Sequence, residues 1–220
     1  QQGALSVPPH LAPRCQLETS RLASGMESTT SDLMALVGLQ ELLSASRAQG
    51  APDLQAIDQR IRGATSALVS SQNDDGGWSW TGRGGPSDRY ASARAVWALA
   101  LAGKAAYKVS KEASDKAAAY LQSQIAATDA DDYESKAILL HALTVAGQED
   151  FTLANRLHRS RPVLSPSALA HTALAFAAMN RTSTAKELAD ALAEKNLDGA
   201  VYRRAAADGL LPWSSSPAEL

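Results

Sequence analysis

Cysteine is almost missing from this chain of 220 residues: Cys15 is the only one. A single thiol excludes an internal disulfide and a cysteine-rich zinc site. Aromatic residues are scarce too, at 5% with two phenylalanines. A cavity walled by aromatic rings therefore has little to be built from. No apolar run reaches the roughly 20 residues of a membrane-spanning helix, which argues against a direct span. Basic charge is not in excess: the formal net charge is -2 and the pI about 6.1. No nucleic acid partner is expected of such a surface. Phosphate-cradling glycine loops and an adjacent nucleophile and base are missing as well, so no cofactor and no catalytic residue are expected. No secretory signal opens the sequence, and Gln1 is compatible with the cut end of a longer chain.

What is present is helix. The chain is 45% hydrophobic, much of it alanine, which favours helices and close helix–helix packing. Pro8, Pro9 and Pro13 mark residues 1–13 as an extended lead-in. Residues 14–220 read as a single domain, a fragment of a longer chain. A first helix is expected from Thr19 through Met26, or else from Ser31, and most firmly over Asp32–Ser46, with Leu33, Leu36, Val37, Leu39 and Leu43 in a stripe. Asp53 caps a second, which carries Ile57, Ile61, Ala64 and Leu68. Further helices are expected over 88–103, 110–126, 132–147, 149–161, 165–179 and 183–195.

These helices alternate in character. Those at 88–103, 132–147 and 165–179 are apolar nearly all round, as buried helices are. Those at 110–126, 149–161 and 183–195 carry a charged face. The strings AVWALALAG from Ala95, LLHALTVAG from Leu139 and HTALAFAAM from His171 resemble one another. Repeated helix pairs make a solenoid or a closed ring of hairpins. The unequal repeat lengths favour a double ring, apolar helices inside and amphipathic ones outside. No strand pattern appears.

Between the second and third helices runs RGATSALVSSQNDDGGWSW, from Arg62 to Trp80. Asn73, Asp74 and Asp75 suit a turn, Gly76 and Gly77 supply backbone freedom, and Trp78 and Trp80 return apolar area to the helices. Arg62-Gly63, Leu68, Gln72, Gly76-Gly77 and Trp78 resemble the QW motif of the α/α-toroid superfamily. That superfamily holds terpene cyclases, protein prenyltransferase β subunits and the thioester-containing domain of α2-macroglobulin-like proteins. The continuation from Ser87 to Gln124 looks most like the bacterial α2-macroglobulin branch. The resemblance implies an all-α toroid of two concentric layers of hairpins, complete or truncated. It also implies a non-enzymatic module, secreted or attached to the cell envelope, whose partners are the other domains of its parent chain and proteases or other macromolecules.

Three groups of residues invite chemistry. In the α2-macroglobulin branch a cysteine and the glutamine three positions later form an internal thioester; here Glu18 stands three after Cys15. A carboxylate has no ammonia to expel, so Cys15 remains a candidate reactive thiol without a working thioester. Asp129-Ala130-Asp131-Asp132 matches the DxDD string of terpene cyclases, with Asp131 as the acid. The bland alternative is a helix N-terminus, where carboxylates cap free amides. A prenyltransferase-like zinc would need a second cysteine beside His141, His158 or His171; none is present, so no metal is expected. His141 and His171 read as separate core histidines, and Arg156, His158, Arg159 and Arg161 as a solvated basic face. A cyclase or prenyltransferase enzyme, and a bare helical scaffold for protein–protein interaction, are the alternatives to the α2-macroglobulin-like module.

Overall fold

A computed structural model describes residues 25–46 and 54–195. The lead-in, Cys15, Asp53 and the tail from Asp198 lie outside them. The described residues form eight α-helices: α1 (Met26–Ser46), α2 (Leu54–Ser70), α3 (Arg89–Lys104), α4 (Lys111–Ala127), α5 (Tyr133–Val145), α6 (Phe151–Arg159), α7 (Pro166–Ala178) and α8 (Thr182–Glu194). The nearest thing to a strand among them is one antiparallel bridge, Trp78 to Asp88. No helix there is long and apolar enough to cross a membrane.

Polar side chains start these helices where unpaired amides need acceptors. Asp88 accepts from the amides of Tyr90 and Ala91, Ser110 from Ala113, Asp132 from Ser135, Asp150 from Leu153 and Ser165 from Ala168. Helix α1 begins at Met26, earlier than a start at Ser31, and the helix expected from Thr19 lies almost wholly outside the described residues. The hydroxyl-rich first turns of α1 are helical, and each hydroxyl bonds a carbonyl of the turn behind it. Ser28 reaches the Gly25 carbonyl at 2.8 Å, Thr30 the Met26 carbonyl at 2.9 Å and Ser31 the Glu27 carbonyl at 2.8 Å. The helix expected over 149–161 ends at Arg159, and a short 3-10 turn over Arg161–Val163 replaces its last residues. Pro162 in that turn has no amide to donate and cannot continue the α-helix.

Three helices end in the same way. After α3 the amide of Tyr107 bonds the Ala102 carbonyl at 2.9 Å; after α5 Gln148 bonds Leu143 at 2.9 Å; after α7 Arg181 bonds Phe176 at 2.8 Å. Each time the preceding residue takes a left-handed backbone: Ala106 at φ 66, Gly147 at φ 84 and Asn180 at φ 59. This is the Schellman closure, and it marks α3, α5 and α7 as structural repeats.

Packing confirms the alternation. α1 lies against α3, α3 against α5 and α5 against α7, while each even-numbered helix lies beside the odd-numbered ones that flank it in the chain. Among the described residues α1 and α7 share no extensive contact, so the run of hairpins is open there. α5 buries ten of its 13 residues and α4 four of its 17, which puts α5 inside. Leu139, Ala142 and Leu143 of α5 join a core with α1 to α4; Ala137 and Leu140 join a second with α6 to α8. Among the described residues α5 is the odd-numbered helix that packs extensively on α7. Leu169 and Phe176 are buried in the second core, while Leu174 is 45% exposed.

Candidate functional site

The link from α2 to α3 is the most tightly bonded irregular segment among the described residues. Gln72 leaves the end of α2 and donates from Nε2 to two carbonyls, Gly76 at 2.9 Å and Ala113 of α4 at 2.9 Å. Trp78 is fully buried; its indole N–H donates to the Leu68 carbonyl at 2.8 Å and its amide to Ser92 Oγ of α3 at 2.8 Å. One glutamine and one tryptophan thus join α2, α3 and α4. The glycines are required by space. A β-carbon on Gly76, which sits at φ +87, would come within 2.4 Å of the Lys116 carbonyl oxygen, and one on Gly77 within 2.7 Å of the Ser87 side chain.

Two residues expected in this clasp are elsewhere. Arg62 lies on an exposed face of α2, paired with Asp58 at 2.8 Å and over the Tyr107 ring at 5.4 Å. Gly63 meets nothing within 4 Å of a β-carbon. Both precede Gln72 by more than two helical turns, so the helix carries them away from the turn. Trp80 also departs from expectation. It is 41% exposed, and its indole N–H bonds Asp88 Oδ1 at 3.0 Å.

His141 and His171, expected as separate core histidines, meet across the α5–α7 interface. Their Nδ1 atoms are 3.1 Å apart, and the edge of Trp97 from α3 packs on His141 with ring centroids 4.7 Å apart. Such a bond between neutral rings needs complementary tautomers, one ring donating its Nδ1–H and the other accepting. Burial, then the neighbouring His171 and Lys104, hold His141 down at about 3. Burial lowers His171 as well, against the opposing pull of Glu134. A ring so hard to protonate is a poor general base near neutral pH. The pair acts as a polar pin between two apolar helices. The pairing was discoverable from register: Trp97 and His171 stand equally far before the left-handed residues Ala106 and Asn180, and His141 stands about one turn nearer to Gly147.

Asp131 is exposed on the turn between α4 and α5, and its backbone carbonyl accepts the Tyr133 amide at 2.8 Å. Asp132 is the cap of α5, and Arg89 lies 3.9 Å from it. Lys136, buried beneath this turn, donates to the Asp129 carbonyl at 2.5 Å. Two depressions on the described surface are open grooves of about 370 and 380 Å³. One is lined by Arg62, Tyr107 and Lys108, the other by Thr128, Lys136 and Arg156. Asp131 lines neither, and this geometry does not favour the cyclase alternative. The basic face is partly neutralised: Glu187 of α8 accepts from His158 Nε2 at 3.1 Å and pairs with Arg161 at 3.2 Å. Among the described residues no three metal-ligating side chains converge.

No family model matches the chain, and no curated protein matches it. Solved structures do. Native α2-macroglobulin from E. coli superposes on 79% of this chain with TM-score 0.62 and 18% identity. The trypsin-activated E. coli protein covers 76% with TM-score 0.58 and 18% identity. Salmonella α2-macroglobulin reacted with methylamine covers 74% with TM-score 0.56 and 20% identity. The chain spans 12%, 12% and 11% of those three proteins. In fold it is similar to a helical portion of bacterial α2-macroglobulins.

Proposed function

We propose that this chain is the all-α toroid module of an α2-macroglobulin-like protein, a non-enzymatic part that binds or traps other macromolecules without an internal thioester. The observation that carries the reading is the likeness of the hairpin array to bacterial α2-macroglobulins over about three quarters of the chain. The layer of apolar odd-numbered helices supports the toroid, and the bonding of Gln72 and Trp78 supports its kinship with QW-motif proteins. Proteases, and the other domains of a longer parent chain, are the partners this reading implies. A secreted or envelope-associated location is part of the same proposal.

Loss of the thioester rests on Glu18, which stands where the acyl-donating glutamine is required. Cys15 itself lies outside the described residues. Intact mass after incubation with methylamine, with thiol titration before and after, tests this part. A thioester opened by the amine gains one methylamine and releases one thiol. The expected result is unchanged mass and a Cys15 thiol that titrates from the outset. A gain in mass with release of the thiol would overturn the reading.

A further inference from the structure

We propose that Trp80 and Tyr90 form a docking ledge for a cationic peptide segment of another protein or domain, one presenting arginine or lysine side chains. Both rings are 41% exposed. Both are also fixed. The indole N–H of Trp80 bonds Asp88 Oδ1 at 3.0 Å, and the hydroxyl of Tyr90 bonds Ser135 Oγ of α5 at 2.7 Å. The Tyr90 amide bonds the same Asp88 oxygen at 2.9 Å, so the two residues are tied to one carboxylate. Exposed aromatics held in place have the makeup of a binding hot spot. Little of their freedom is left to lose when a partner arrives.

Charge around the ledge decides what occupies it. Asp74 and Asp75 are exposed on the α2–α3 link that also carries Trp80, and Asp129, Asp131 and Glu134 are exposed on the α4–α5 turn and the start of α5, the helix whose Ser135 holds Tyr90. Two arginines share this rim, each 3.9 Å from a carboxylate: Arg83 from Asp74, and Arg89 from Asp132. Arg89 also bonds Thr128 at 3.2 Å, which ties the α4–α5 turn to the start of α3 and makes the rim continuous. A guanidinium or ammonium group over a ring face gains from the aromatic quadrupole and from the carboxylates together. An anionic partner is repelled, and a purely apolar one has no use for the acids.

Titration calorimetry on the full 220-residue chain tests the ledge, with acetylated hexa-arginine amide as probe and hexa-citrulline amide as the uncharged control. The expected result is saturable binding of hexa-arginine, weakened by salt, with no binding of citrulline. Trp80→Ala lowers affinity about tenfold, while Trp80→Phe, which keeps a ring, retains most of it. Because Trp80 is exposed, the Ala variant is expected to fold, and its urea midpoint checks this. Equal affinity for wild type and Trp80→Ala would show general attraction of acid for base and overturn the proposal, as would no binding at all. The methylamine reaction speaks to the thioester alone, so the two tests fail separately.

Discussion

Acid should unfasten α5 from α7. The unfolded chain protonates His141 near its ordinary 6.5, whereas the folded chain holds it down at about 3. The folded value is the lower, so the stabilising difference is fully present above 6.5 and is lost as pH falls from there toward 3. Between about pH 7 and about pH 5 the linkage removes roughly 2 kcal/mol through His141 alone. His171 shifts in the same direction and adds to the loss. Net stabilities are only about 5–15 kcal/mol, so the effect is large. With a urea dependence of roughly 2 kcal/mol per molar, the midpoint should fall by about 1 M or more. The lowered carboxylates Asp58 and Glu112 are exposed and titrate below this window. Urea melts followed by circular dichroism at several pH values measure the slope. His141→Leu should be less stable near neutral pH, because His171 loses its partner, yet should show a shallower pH slope. A wild-type midpoint flat between about pH 6.5 and 5, or an unchanged slope in the variant, would refute the argument.

Glycine substitutions should divide by position. Gly76→Ala is expected to destabilise by about 2–3 kcal/mol or more, since its β-carbon would strike the Lys116 carbonyl from a left-handed backbone. Gly63→Ala, mid-helix and open, should stabilise by about 0.5–1 kcal/mol, and urea melts of the pair at one pH compare them directly. Ala106→Gly should stabilise by about 0.5–1 kcal/mol, because alanine there holds φ 66 at an exposed Schellman position; a lowered thermal midpoint would contradict it.

The helices were legible because their cause is local. Asp88, Ser110, Asp132 and Ser165 announce helix starts, and the apolar runs at Ala95 and Leu139 announce burial. The parts of the clasp that formed are also local in cause: Gln72 and Trp78 sit within one turn of chain, and two glycines let the backbone close. Arg62 and Gly63 stood near in sequence, but the helical rise carries them off. Trp80 follows Trp78 by two residues, but it stands in a turn that the Gly82 amide closes on the Ser79 carbonyl at 3.3 Å, and only Trp78 is packed. Its tie to Asp88 depends on where α3 begins, which composition does not state. The His141–His171 pair joins residues thirty apart, on helices whose contact is a tertiary fact. Aligned C-caps bring that register into view; apolar periodicity does not.

The claim beneath all of this is that the odd-numbered helices are the protected inside of the array and the even-numbered ones its wet flank. Native-state hydrogen exchange read by residue tests it most directly. Amides of α3 and α5 are expected to exchange through global unfolding, with the largest protection in the chain, and those of α8, which buries Leu188 alone, far sooner. Amides of α8 or α4 protected as strongly as those of α5 would contradict the account.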